Sequence, residues 1–166
     1  MTEKTVPGHQ MAAEMREQPV VWRRILADQH PIEDTAKSLA CHRPRFALLV
    51  ARGTSDHAAL YGKYLIEILL HVPVGLVSPS VLTAYGARPR LDDVLVIAVS
   101  QSGGSPDLVR TIEIARSQGA ITLAATNDAT SPLASRLSPP RRSCIFTSVP
   151  VPSMQSPRQS PTPLNS

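Results

Sequence analysis

The sequence predicts an α/β domain of three layers, a parallel sheet with helices on both faces. Three observations carry this expectation. Short apolar, β-branched runs alternate with helix-length amphipathic segments, which is the pattern of βαβ units with right-handed crossovers. The run Val94-Leu95-Val96-Ile97-Ala98-Val99 is short and apolar throughout, as a strand covered on both faces would be. Two strand ends carry the same kind of loop, Gly53-Thr54-Ser55 and Ser100-Gln101-Ser102-Gly103-Gly104-Ser105. In such sheets ligands bind at the carboxyl ends of the strands, near a switch in strand order.

The 166 residues are 42% hydrophobic and 18% charged, which fits one globular domain with a real core and excludes a wholly disordered chain. No apolar run reaches membrane-spanning length, so no membrane role is expected. The start carries both signs of charge and no apolar stretch, unlike a signal peptide. Cys41 and Cys144 lie far apart without metal-ligand spacing, which points to a reducing compartment and a cytoplasmic location. The net charge of +4 is confined to the end of the chain. Up to Ser135 the sequence holds thirteen Lys/Arg and thirteen Asp/Glu, and the excess is Arg136, Arg141, Arg142 and Arg158. A nucleic-acid partner is therefore not expected.

Residues 1–44 read as a helical lead-in. Met11-Ala12-Ala13-Glu14-Met15-Arg16 forms helix readily, and Pro19 is expected to open a second helix on which Val21, Ile25 and Leu26 share a face with Trp22 beside them. His30-Pro31 should break it before a short third helix over 32–40. This lead-in packs either on the core or on a partner chain. Residues 45–137 form the α/β domain. Strands are expected over 46–50, 72–77, 94–99 and 121–126, with long helices over 58–70 and 106–118 and one helical turn within 78–85. Ser105-Pro106-Asp107 reads as N-cap, N1 and N2, because Pro is tolerated at N1 and an acid favours the first turn. Gly119 should stop that helix, and Ser131-Pro132-Leu133 is another cap.

Residues 138–166 change in texture. They hold seven prolines, seven serines, three arginines and no acid, a composition that predicts a disordered tail. Only residues 144–149 could form an edge strand.

The loop 100–105 admits two readings, a phosphate seat at a helix start or an ordinary βα turn with a good cap. Its strand-x-x-Ser-x-Gly-helix form also suggests a hydrolase nucleophile elbow at Ser102. That arrangement needs a histidine after the serine and acid, and none follows His71. Neither dinucleotide nor P-loop fingerprints are present, and no metal-ligand cluster is spaced to bind an ion. No catalytic residue, metal or cofactor is therefore expected. His9, His30 and His42 lack ligand-like spacing, and His57 reads as structural or solvated.

Ala51-Arg52-Gly53-Thr54-Ser55-Asp56-His57-Ala58-Ala59 and Ser100-Gln101-Ser102-Gly103-Gly104-Ser105-Pro106-Asp107 together resemble the two sugar-phosphate loops of the sugar isomerase (SIS) domain family. The nearest branch is the aminosugar-phosphate isomerases and deaminases, related to the isomerase half of glucosamine–fructose-6-phosphate aminotransferase. The resemblance runs over about residues 11–137. It implies a flavodoxin-like αβα sandwich, a phosphosugar ligand, aminosugar metabolism and homo-oligomers. It also implies roles for Gly53, Thr54 and Ser55 against the sugar phosphate, and for Ser100, Gln101, Ser102, Gly103 and Ser105 in the phosphate loop. The N–H groups of Ser102 and Gly103 would add donors. Arg52 either steers a phosphate or pairs with Asp56.

The departures from the family bear on activity. Enzymes of this branch carry two SIS domains, with their catalytic acid, base and lysine in the second, and residues 1–137 match only the first. Met1 is followed by Thr2, so no N-terminal cysteine nucleophile is present. Relatives continue past Ser131-Pro132-Leu133-Ala134 into a further strand, where this chain turns to Pro-Arg-Ser text, as a shifted reading frame and early stop would produce. The expected protein is thus a truncated N-terminal SIS domain that either binds phosphosugar weakly or folds poorly, and that does not turn the sugar over by itself. It lacks a proper fifth strand unless 144–149 supplies one, and a bare sheet edge would make it depend on a partner chain. The alternative is a non-catalytic phosphosugar sensor or regulatory domain.

Overall fold

A computed structural model describes residues 8–137 and 143–147. Eleven elements occur among them: α1 (His9–Ala27), α2 (His30–Ala40), β1 (Phe46–Val50), α3 (Ser55–Leu70), β2 (Val74–Leu76), α4 (Pro79–Thr83), β3 (Val94–Ser100), α5 (Pro106–Ser117), β4 (Ile121–Thr126), α6 (Pro132–Ser135) and β5 (Ser143–Thr147). The strands form one parallel sheet in the order β2-β1-β3-β4-β5, which is the flavodoxin-like order.

β3 lies at the centre and sorts its side chains by parity, as a strand covered on both faces must. Val96 and Ala98 enter a cluster with Leu108, Ile112 and Ala115 of α5 and with Leu133 and Leu137 beyond. Leu95, Ile97 and Val99 belong to the opposite cluster, with Ala47 and Leu49 of β1, Ala59 and Ile66 of α3, and Leu39 of α2. Two apolar faces of one sheet, each roofed by helices, make the three layers.

The loop chemistry largely follows the sequence. Gly119 takes a φ of +88°, and the N–H of Ala120 returns to Ala115 O at 3.1 Å, ending α5 where expected. A Cβ at Gly119 would sit 2.8 Å from Asp92 Oδ1, so the space is also taken. The Ser131 hydroxyl accepts from Ala134 N–H at 3.3 Å and caps α6. β2 is shorter than expected, because His71 closes α3 in the left-handed region at φ 54° and Pro73 brings only its carbonyl to the sheet, accepting from Ala47 N–H at 3.0 Å. Glu67 ties the end of α3 to β2. Its carboxylate receives the Lys63 ammonium at 2.6 Å and the Val74 N–H at 3.3 Å. The Lys63 hydrogen bond, followed by that of Val74, holds the Glu67 carboxyl below its usual value.

Three expectations need correction. Pro19 does not open a helix but lies inside α1, which runs unbroken through it. The ring's fixed φ is already helical, and Met15, whose carbonyl loses its donor, lies on an exposed stretch open to solvent. The break falls at Asp28 and Gln29, and His30-Pro31 opens α2 rather than ending α1. Ser105 is the N-cap of α5 by position, with extended backbone, yet its side chain makes no capping bond.

The fifth strand is present. β5 pairs parallel to β4 in the register Thr122↔Ser143 to Thr126↔Thr147, so the β4 edge is covered. The remainder of the expected tail, residues 138–142 and 148–166, lies outside the described residues, as do residues 1–7 of the lead-in.

Leu108 is 1% exposed and stands at the centre of the α5 cluster. Leu108→Ala is expected to lower unfolding stability by about 2–5 kcal/mol in a denaturant titration, the usual cost of a buried leucine. Ser131→Ala should cost about 1 kcal/mol through loss of the α6 cap, read in the same titration.

Candidate functional site

Every strand is parallel, so all carboxyl ends open on one edge, and strand order reverses between β1 and β3. The loop after β1 is compact. Gly53 takes φ 62°, its carbonyl accepts from Asp56 N–H at 3.1 Å, and Thr54 O accepts from His57 N–H at 3.2 Å. Thr54 is the N-cap of α3 and Ser55 its first residue, and no side-chain capping bond forms. The Ser55 hydroxyl is therefore not spent on the helix.

The loop after β3 is held from within and from below. Ser100 Oγ accepts the Gly103 N–H at 3.1 Å, and Ser102 Oγ accepts the Gly104 N–H at 3.3 Å. In each case the hydroxyl acts as acceptor and its own proton remains available as a donor. Gly103 takes φ 62°, and its carbonyl accepts Leu133 N–H at 3.0 Å. A Cβ at Gly103 would collide with the Ser131 hydroxyl and lie 3.0 Å from Thr126 Oγ1, so only glycine fits. Gln101 O accepts Asn127 N–H at 3.0 Å and the Thr126 hydroxyl at 3.3 Å. Thr126 Oγ1 in turn accepts Asp128 N–H at 3.3 Å. The loops after β3 and β4 are thereby laced together, as the register Ser100↔Thr126 requires.

Between these loops opens a cleft of about 250 Å³ lined by Ser55, Val99, Ser100, Gln101, Ala125, Thr126 and Asn127. Its walls present three hydroxyls and two carboxamides over an apolar floor. It is somewhat smaller than a typical drug-sized cleft of about 300–1,000 Å³. Such a lining can donate and accept hydrogen bonds to a polyol and donate to an anion. No side chain in it exchanges protons near neutral pH.

Of the candidates named from sequence, Ser55, Ser100 and Gln101 meet in the cleft. Gly53, Thr54, Ser102, Gly103 and Ser105 lie in the flanking loops and outside its lining. Thr126 and Asn127 were missed. Their signal was available, since they end a third strand with a polar pair on the same edge as the other two loops. Arg52 pairs with Asp107, not Asp56, at 3.0 Å from Nη2 to Oδ2. Asp128, beside the cleft, accepts both the hydroxyl and the N–H of Thr130 at 2.7 Å, and these donors hold its carboxyl below the usual range. Among the described residues no three His, Cys, Asp or Glu side chains cluster as a metal site, and no helix is long and apolar enough to cross a membrane.

Residues 41–143 match the SIS domain family. Glutamine–fructose-6-phosphate aminotransferase (isomerizing) of Symbiobacterium thermophilum is 37% identical over 130 residues, a match that takes in 72% of this chain and 21% of that one. The chain thus spans about a fifth of the length of the curated relatives it matches. Among solved structures, a candidate phosphosugar isomerase from Silicibacter pomeroyi is 46% identical with a TM-score of 0.68, covering 76% of this chain and 39% of its own. The C-terminal domain of glucosamine-fructose-6-phosphate aminotransferase from Francisella tularensis is 26% identical with a TM-score of 0.67, covering 89% and 41%. The matched stretch contains four of the five strands, both hydroxyl loops and the cleft between them, and the chain belongs to the SIS domain family.

Proposed function

We propose that the cleft binds a phosphorylated sugar, with an aminosugar phosphate such as glucosamine 6-phosphate as the preferred class, and that this chain binds it without turning it over. The observation that carries the reading is the convergence of Ser55, Ser100, Gln101, Thr126 and Asn127 at the strand-order reversal. In the proposed complex Ser100, Ser102 and Ser105, with the Ser102 N–H and the N–H groups of the first turn of α5, surround the phosphate, whereas the Gly103 N–H expected as a donor is already taken by Ser100 Oγ. Gly53 and Thr54 shape the facing loop, from which Ser55 reaches the ligand. Asn127 meets sugar hydroxyls from the third side, while Thr126, whose hydroxyl is bonded to Gln101 O and to the Asp128 N–H, braces the loop behind it.

Aldose–ketose isomerisation and deamination both need a positioned group that moves a proton. The cleft lining offers hydroxyls and amides only, which favours recognition over chemistry. The relatives' names concern much longer chains, and their reactions are carried to this one only as the class of ligand. A phosphosugar-sensing role is the second reading, and the same untitratable lining supports it. We place the protein in the cytoplasm on its cysteine usage and its ligand class.

Tyr61, Tyr64, Ile68 and Leu69 stand exposed along one face of α3, which supports a homo-oligomer. Light scattering on the full chain should give a mass above 17.9 kDa that falls on dilution; a monomer at all concentrations would rule the oligomer out. Calorimetric titration with glucosamine 6-phosphate should show saturable binding, with free glucosamine at least tenfold weaker because the phosphate supplies the charged contacts. Ser100→Ala should weaken binding about tenfold. Gly103→Ala should abolish it, since the loop must move off Ser131 to admit the methyl group.

A further inference from the structure

The strand-end edge has an unusual charge balance for an anion site. The loops after β1, β2, β3 and β4 and the first turns that follow them hold three carboxylates, Asp56, Asp107 and Asp128. Among the described residues of those segments Arg52 is the only Lys or Arg. Helix starts and hydroxyls would have to offset both the ligand's charge and these acids unaided if Arg52 did not serve the site.

Arg52 is also held in a telling place. It leaves the end of β1, and Asp107 is the second residue of α5, directly after β3. Their 3.0 Å ion pair therefore spans the strand-order reversal and joins the two hydroxyl loops. The two side chains remain 56% and 48% exposed. An ion pair so open to water contributes little to stability, so fold stabilisation is a poor explanation for it. The recorded contact runs through Nη2 to one carboxylate oxygen, whereas a guanidinium carries five N–H donors in a planar fork suited to phosphate.

We infer that Arg52 is the residue that reads the ligand's phosphate, and that Asp107 is the counter-ion that holds the guanidinium at the seam between the loops until the phosphate displaces it. This rests on the phosphosugar reading of the cleft. Asp107 gains from the dipole at the start of α5 but would repel a phosphate there. Paired with Arg52, the Asp107 carboxylate is neutralised as the phosphate approaches. On binding, its fork turns to share the phosphate, and the pair with Asp107 loosens.

The test is calorimetric titration of the full chain with glucosamine 6-phosphate and fructose 6-phosphate at low and high salt, with melting temperatures recorded alongside. Arg52→Met is expected to weaken binding about ten- to a hundredfold, the worth of a charge-assisted hydrogen bond, and to flatten the salt dependence. Its melting temperature should stay close to wild type. Arg52→Lys, which keeps the charge but loses the planar fork, should restore the salt dependence and bind between R52M and wild type. Asp107→Asn should bind a few-fold more tightly, about threefold. The double variant R52M/D107N should lose less than R52M alone, because no unpaired carboxylate then faces the phosphate. Wild-type affinity in R52M alongside weakened binding in Ser100→Ala would overturn the role of Arg52 and leave the cleft reading intact. Equal losses in R52M and R52K with an unchanged salt dependence would show a purely structural clasp and also overturn it. Absence of phosphosugar binding by the wild type would overturn the cleft reading and this inference together.

Discussion

The site depends on the parallel pairing of β3 between β1 and β4. Val50 lies opposite Ala98, and Ser100 opposite Thr126, so the three strands end at nearly one level. Parallel pairing sends all three carboxyl ends to the same edge, and each must be followed by a crossover helix that starts there. Polar side chains gather at that edge, because one step back along β1 and β3 the sheet is apolar on both faces, with the buried Thr122 of β4 the exception deeper in. Val96 and Ala98 are 2% and 0% exposed, while Ser100 at 8% is the last residue before the loop. The location of the cleft is thus a consequence of strand register, and its polarity a consequence of where burial ends.

The shape of the β3–α5 loop is decided by its support. Gly103 rests against Ser131 and Thr126, and its carbonyl takes the N–H of Leu133. Leu133 and Leu137 are themselves buried in the α5 cluster. A short four-residue helix, α6, therefore links the hydroxyl loop to the core on one side, while Gln101 O links it to the end of β4 on the other. A loop braced at both ends presents its hydroxyls without first having to be ordered by the ligand, and that lowers the entropic cost of binding.

Neutral groups form the walls of the cleft and charge is kept to its rim. This division suits a ligand with a hydroxylated body and an anionic end. The chain covers about two fifths of its 46%-identical structural relative and about a fifth of its curated ones. The stretch matched to the family, residues 41–143, contains β1 to β4 and the two hydroxyl loops.

Much of this was legible in the sequence because its signals are local. β-branched runs of strand length, Gly119 at a helix end and Ser131-Pro132 at a helix start each state their conformation within a few residues. The hydroxyl loops were legible for the same reason, as two similar stretches at two strand ends. Pro19 misled because local propensity cannot weigh an exposed helix that simply tolerates one missing donor. Thr126 and Asn127 were passed over although they end a third strand with a polar pair, because that signal gains meaning only once the strand order sets this end beside the other two loops. The partner of Arg52 was undecidable between ligand and Asp56, and the carboxylate it meets is 55 positions away in the chain. Sequence by itself determined the elements, the parallel class and the chemistry of the loops, since these follow from residue type and spacing. Tertiary structure alone decided which strand ends meet, which hydroxyls are left over from capping, and which acid holds Arg52, since these follow from register across the sheet.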